Sequence, residues 1–424
     1  MFNDNIRNDI DNFIDKYLHN IYPLLSGLVI SSIIFLWSLE FGPDRYDVGL
    51  NVFLAIISFV FYLPYIVNNF SFFPFVVSII FILYQVAFSL LNGFDFRSAL
   101  LCFVFVLYFY SVFYSLLFCF GDEFKVLRKL ILVFLIAQIC LQVLEVSGVF
   151  QLYEFATVRM YLFGNFGATG LYGEGSHVAF SLVPLMFIKD ERGRHLNASS
   201  VLAGISVLLA ISSTAIVGVL LLFILLILKI NSWRRVGLAF LVIFGFLIVL
   251  FVGWQVFHFR PFAALAVRIW GILQIISGEI DRGVNLSALV YANGMNMAWA
   301  GVKDILGSGL GNFSIYFDQS IGREAIDQIS HGPLNKDDGS CVLFKMIGEM
   351  GILGLIIVGY FMFKNIAIII RHGDSFISVL ACFIIMSALR SAGYFHGPYI
   401  ISFALVGVLW EMRRMSLGGV LKAN

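Results

Sequence analysis

Apolar runs of roughly membrane-spanning length recur along this chain of 424 residues, and that recurrence constrains the fold more than any motif does. They fall at 21–41, 48–68, 71–91, 98–119 and 126–148, then at 175–189, 198–230, 235–257, 341–363, 375–391 and 397–412. A segment surrounded by lipid has no water to satisfy its backbone, so it must hydrogen-bond within itself. Runs of this length do so as α-helices, and the expected fold class is an all-α polytopic integral membrane protein. Composition agrees: 60% of the residues are apolar, 12% are charged and Phe alone occurs 46 times. The net charge of +1 says nothing about partners, since in such a protein what matters is where the Lys and Arg residues fall, and no nucleic-acid role is indicated.

The stretch 198–230 sets the topology. A single helix of 33 residues would be about 50 Å long, against a hydrocarbon core of about 30 Å. Basic residues stand at both ends, Lys189, Arg192 and Arg194 before it and Arg234 and Arg235 after it, so both ends belong on the cytoplasmic side. The chain is therefore expected to turn at Ser212, Ser213 and Thr214, which makes twelve spans. With the N-terminus inside, only Arg45, Arg97, Arg159 and Arg390 occupy short external loops. In a bacterial inner membrane the external side is the periplasm.

The domain plan follows. Residues 1–20 hold Asp4, Asp9, Asp11 and Asp15 where a cleaved signal would hold basic residues, and Phe2, Ile6, Ile10, Phe13, Ile14 and Tyr17 fall at helical spacing. A cytoplasmic amphipathic helix is expected there. Helices 1–9 occupy 21–257, with an external loop at 149–174; a large external loop fills 258–340; helices 10–12 and a cytoplasmic C-terminus fill 341–424. Within the large loop, 262–277 reads as an interfacial or re-entrant helix around Arg268 and Trp270, and 286–306 as a second amphipathic segment. Gly307, Gly309 and Gly311 then break the chain; without a surrounding strand and helix of a parallel sheet they are no nucleotide fingerprint. The five cysteines form no C-x-x-C pair, so neither a metal site nor a disulfide framework is expected, and no cofactor.

Chemistry gathers first in RMYLFGNFGATGLYGEGSHVAF, residues 159–180. Gly164, Gly167, Gly170 and Gly173 recur at every third position, a pattern that suits a backbone bending closely around something. Arg159 opens the loop and Glu174 closes it, and His177 follows Glu174 by three residues, on one face of the next helix.

Taken together, YGEGSHVAF, AWAGVKDILGSGLGNF and IGEMGILGL, in that order, resemble the motifs of the bacterial Wzy-type O-antigen polymerases and the related O-antigen ligases, over about residues 126–412. Arg159 and Gly170 match the R-x10-G loop pattern of the polymerases, whereas from Arg282 the nearest glycine, Gly294, is one residue late. Ser340 and Cys341 stand where the ligases carry a His-Asn type pair, and His331 lies upstream, which favours polymerase over ligase. The resemblance implies a GT-C-like membrane glycosyltransferase. It would join undecaprenyl-diphosphate-linked oligosaccharides at the periplasmic face, with a flippase and a chain-length regulator as partners.

Such a reaction needs cations for the departing diphosphate and a base for the attacking hydroxyl. Arg159, Arg268, Arg282 and Arg390, with Lys345 just inside the tenth span, are the expected diphosphate ligands, because guanidinium grips phosphate in a bidentate fork. Glu174, His177 or His331 would take the proton, and Tyr172, Trp299 and Tyr394 would stack on sugar rings. Plainer roles stand beside these. An arginine at a helix end can snorkel to headgroups, Glu174 can cap its own helix, and His177 can be a packing residue. The competing class is a lipid-linked oligosaccharide flippase. Such transporters are built from repeats, and no similarity links the first six spans to the last six.

Overall fold

The computed structural model describes residues 21–41, 48–150, 167–189, 197–210, 212–228, 286–320, 322–330, 333–372, 376–391 and 393–422, together with isolated positions at 152, 241, 245, 248 and 270. Within these, helices dominate. They are α1 (Ile21–Phe35), α2 (Leu50–Asn68), α3 (Phe72–Asn92), α4 (Phe96–Gly121), α5 (Lys125–Val146), α6 (Gly175–Leu182), α7 (Ala198–Ala210), α8 (Ser213–Leu228), α9 (Leu286–Lys303), α10 (Arg323–Ser330), α11 (Val342–His372), α12 (Phe376–Leu389) and α13 (Tyr399–Lys422). A two-residue antiparallel ladder pairs β1 (Glu40–Phe41) with β2 (Val48–Gly49) just before α2.

Five of these helices, α2, α3, α4, α5 and α11, are long and apolar enough to cross a membrane. The apolar window of α4 is 56% buried against 28–33% in the others, so α4 is an inner post while its neighbours turn large side chains such as Val60, Leu83 and Phe363 outward. An outward apolar face is what lipid requires, and the core takes the opposite faces. The short α12 is also interior, with nearly every residue from Phe376 to Ser387 buried.

Contacts between distant segments sort the loops to two ends. At one end Trp37 meets Tyr172, His177 and His396, Asn51 Nδ2 donates to Phe395 O at 2.9 Å, and Ser391 N donates to Ser340 O at 3.2 Å. At the other, Phe124 packs on Phe376, and Arg128 lies over the same ring while donating to Lys189 O at 2.8 Å. Among the described candidate residues, Tyr172, Glu174, His177, Arg390 and Tyr394 share the first end.

The expected turn near Ser212 is present as a reversal. The top of α6 at Gly175 abuts the Ala210 carbonyl at the end of α7, and Gly218 of α8 lies beside Val183 and Met386, back down the same helices. A continuous helix would have carried Gly218 away from Val183. The two arms pack mainly on other helices, α7 on α5 and α6, and α8 on α6, α11 and α12.

Three boundaries differ from expectation. The first span stops at Phe35 rather than 41, because Leu36–Ser38 turn and Trp37 is drawn into the core at 1% exposure. The sixth is only eight α-helical residues, since Pro184 converts the rest to a 3-10 turn at Pro184–Phe187. The second amphipathic segment ends at Lys303. Beyond it Phe313–Gln319 form a 3-10 helix, and Leu289, Val290, Met297, Phe313, Tyr316, Phe317 and Ile326 make a small separate core. The expected N-terminal helix at 1–20 and re-entrant helix at 262–277, apart from Trp270, lie outside the described residues, as does nearly all of the span at 235–257.

Candidate active site

The site is built from α5 upward. Gln138, Gln142 and Glu145 fall at i, i+4 and i+7, one buried stripe on a helix that is otherwise apolar beyond its basic first turns at Lys125, Arg128 and Lys129. Glu145 accepts the amides of Thr169 (2.7 Å) and Gly170 (3.0 Å), Gln138 accepts the amide of Leu171 (2.7 Å), and Gln138 and Gln142 donate to the carbonyls of Thr169 and Ala168. These bonds stand in for the water and the regular structure that a buried loop lacks. Residues 168–172 are thereby pinned against the helix, and the chain leaves them at a fixed place to start α6.

Glu174 is the N-cap position of α6, where helix dipole and amides favour an anion. Its carboxylate meets Arg390 Nη2 at 3.3 Å and His177 Nε2 at 3.9 Å, and accepts Ser176 Oγ at 2.8 Å. Burial disfavours its charge, but His177 and Arg390 outweigh that, so the pKa of Glu174 is held below its ordinary value. The carboxylate side chain is 55% exposed while Arg390 is 23% exposed and His177 17%. Trp37 stands 4.8 Å from the imidazole, and its indole N–H donates to Ser181 Oγ at 3.1 Å. An open acid, a cation and an imidazole against an indole form the first group.

The second group surrounds a break in α11. Gly351 has φ 58° and ψ −131°, a region essentially closed to other residues, and a Cβ there would run into the Ile305 carbonyl oxygen. Breaking a helix leaves carbonyls without their usual donors. The loop 304–313 supplies replacements: Ser308 N donates to Gly348 O (3.2 Å), Gly309 N to Glu349 O (3.0 Å), and Ile352 N is taken by Ile305 O (2.9 Å). Tyr84 Oη also donates to Glu349 O. Positive φ at Gly307, Gly309 and Gly311 lets this loop press so closely. The ILGSGLGNF and IGEMGILGL segments are thus two halves of one joint.

Glu349, fully buried, projects from that joint. Tyr394 Oη donates to it at 2.6 Å, Phe313 N at 3.3 Å, and Lys345 Nζ stands 3.8 Å away. Burial and then the Glu349 charge push the Tyr394 phenol well above its ordinary range, which keeps it a donor. Lys345 also donates to Asp337 O at 2.8 Å and lies 5.5 Å over the Tyr394 ring. The segment from Arg390 to His396 connects the two groups.

Of the expected residues, Glu174, His177 and Arg390 are brought together, and Lys345 joins Tyr394 in the second group. Lys345 neutralises Glu349 rather than standing open for a diphosphate. Two sugar-stacking expectations are corrected. Tyr172 is fully buried with its hydroxyl donating to Ile34 O at 2.9 Å, and Tyr394 is 3% exposed with its hydroxyl on Glu349; both are core rings. Trp299 is 58% exposed on α9. Arg159, Arg268, Arg282 and His331 lie outside the described residues. Glu349, Trp37 and the α5 stripe were not among the expected site residues. The signal was there for Glu349 and Glu145: a carboxylate inside a spanning run is costly and implies a partner or a cavity.

Comparison of the chain with protein-family models, curated proteins and solved structures yields no match.

Proposed function

We propose that this membrane protein is a glycosyltransferase that polymerises lipid-diphosphate-linked oligosaccharides, working at the end of the bundle that holds Glu174 and Arg390, the periplasmic side of a bacterial inner membrane. The observation that carries the reading is the 3.3 Å approach of Arg390 to Glu174, from chain positions 216 residues apart, with His177 beside them. In the reaction proposed, the acceptor hydroxyl oxygen attacks the donor anomeric carbon and the bond from that carbon to the diphosphate oxygen breaks. The lipid diphosphate leaves with the electron pair, and the hydroxyl proton passes to Glu174 or His177. Arg390 faces the leaving anion, with Arg159, Arg268 and Arg282 as its proposed companions and Trp299 as an exposed ring for a sugar. His177 and Arg390 hold Glu174 ionised, the state a proton acceptor needs, while making it a weaker base than a free carboxylate.

The test is polymer formation by purified chain in nanodiscs supplied with lipid-linked repeat units. Glu174→Gln and Arg390→Lys, inserted at the parent's level, are expected to lose at least about a hundredfold in rate, the usual scale for a positioned base or anion ligand. Parent-like polymerisation by both variants would overturn the assignment.

A further inference from the structure

Arg390 carries its charge on a long side chain with many rotamers, so the place of its guanidinium depends on how its backbone is held. Arg390 N donates to Met386 O at 3.1 Å, at the very end of α12, and Ser391 follows. Ser391 is 2% exposed. Its hydroxyl donates to Ser387 O at 2.9 Å, one turn back on α12, and accepts Val342 N, the first amide of α11, at 2.7 Å. Its own amide donates to Ser340 O at 3.2 Å. A hydroxyl both donates and accepts, so one small side chain joins the end of α12 to the start of α11. The first amides of a helix have no partner within it, and here the partner comes from 49 residues away.

The facing side of this joint is held as closely. Ser340 stands at φ 65°, where a residue other than glycine persists only when its surroundings fix it. Ser340 N donates to Asp338 Oδ1 at 3.0 Å, and Asn335 Nδ2 donates to Ser340 Oγ at 2.6 Å. Lys345 Nζ donates to Asp337 O at 2.8 Å, which ties the same turn to the Glu349 group.

We infer that Ser391 is a positioning residue for Arg390: by joining α12 to the 335–342 turn it sets the backbone from which the guanidinium reaches Glu174 at 3.3 Å. Its bonds go to backbone groups of α11, α12 and the turn, and it acts only through its neighbour. The inference rests on the proposed function for what Arg390 does to the leaving diphosphate, and on the geometry alone for how Arg390 is held. Ser402 is the matched control. It is fully buried, donates to Leu380 O at 2.7 Å and accepts Ile384 N at 3.1 Å, the same kinds of bond made to α12 away from Arg390.

Two measurements on the full chain in nanodiscs test this, with the exposed native thiol removed by Cys140→Ser. In the first, Glu174→Cys and Arg390→Cys are joined by a short bifunctional methanethiosulfonate, a readout that needs no turnover. Adding Ser391→Ala should slow the joining at least about fivefold, the scale of one lost hydrogen bond, and Ser402→Ala should leave it unchanged. Asp338→Ala, at a half-buried position, loosens the joint from the other side and should slow the joining at least about twofold; it carries the test should Ser391→Ala fail to insert. In the second, polymerisation is followed with Glu174 and Arg390 in place. Ser391→Ala should lower kcat about ten- to a hundredfold, the scale of a misplacement of about 1 Å, while KM changes less than about twofold. Joining at the parent's rate in both Ser391→Ala and Asp338→Ala, or slowed equally by Ser402→Ala, overturns the inference. So does a parent-like kcat in Ser391→Ala when Arg390→Lys is slow. Slowed joining with a parent-like Arg390→Lys removes the proposed function and leaves the positioning standing; parent-rate joining with a slow Arg390→Lys removes the positioning alone.

Discussion

The phenol of Tyr394 donates to the Glu349 carboxylate at 2.6 Å across 45 residues of sequence, and it does so where α11 is broken. The bond joins the Arg390–His396 segment to the joint formed by 304–313 and 348–352. Tyr394→Phe should therefore cost about 1.5–3 kcal/mol, the usual loss for a hydrogen bond to a charged group. Glu349→Ala, which strands the Lys345 charge as well, should cost about 3–5 kcal/mol. Reversible unfolding in mixed micelles measures both; equal losses would mean that Lys345 is not balanced by Glu349.

Gly351→Ala should be more damaging than its size suggests. Its backbone conformation costs another residue about 1–3 kcal/mol. The added methyl would also press on Ile305 O, an atom already bonded to Ile352 N. Gly359→Ala on the same helix has open space around it and is the matched control. A thermal midpoint as high for Gly351→Ala as for Gly359→Ala would show that the break is not needed.

The α5 stripe can be tested through the loop it holds. Glu145→Ala leaves the amides of Thr169 and Gly170 without their acceptor, so those two amides should exchange hydrogen at least tenfold faster, a change of about 1.4 kcal/mol. Glu145→Gln keeps one acceptor oxygen and should restore part of the protection. Unchanged exchange in Glu145→Ala would mean the loop is held by Gln138 and Gln142 alone.

The Glu174 contacts should persist below the pH at which an ordinary carboxylate is protonated. Its folded pKa lies below the ordinary 4.5, so the ion pair with Arg390 is fully formed above that value and is lost only as pH falls through the lower folded pKa. The rate should then be insensitive to Glu174 ionisation between pH 5 and 8. An acid limb centred above pH 5 that disappears in Glu174→Gln would contradict this.

The sidedness proposed for the Glu174 and Arg390 end predicts a labelling pattern. Single cysteines at Ser147 and Leu334 should react with an impermeant thiol reagent added from the periplasm, and cysteines at Glu123 and His372 should not. Reaction at Glu123 would place the Glu174 group on the cytoplasmic side.

Periodic and repetitive features were legible in the sequence. The apolar runs locate α2–α5 and α11 because hydrophobic length alone decides a span. The reversal after Ala210 follows from a length that no bilayer accommodates and from serines that end a helix readily. Gly307, Gly309 and Gly311 marked a break for the reason that only glycine takes positive φ cheaply. What could not be read was which loop would receive which helix. The partner of Glu145 is a pair of backbone amides, invisible to any reading of side chains, and the carbonyls that seat 304–313 exist only because Gly351 interrupts α11. Aromatic residues misled for a related reason: Tyr172 and Tyr394 sit beside the charged groups in sequence, yet packing turns both rings inward.

The α5 stripe also bears on how the protein is made. Gln138 takes its second partner from Ser206, 68 residues later, and the loop that occupies Gln142 and Glu145 also emerges after α5 is complete. At about 5–20 residues per second, the helix waits several seconds with amides and a carboxylate that lipid would not tolerate unpaired. During biogenesis α5 must be sheltered by the insertion machinery or by α4 until its successors arrive. A defect placed as late as Ser206 would then surface as failed membrane integration of a helix synthesised well before it.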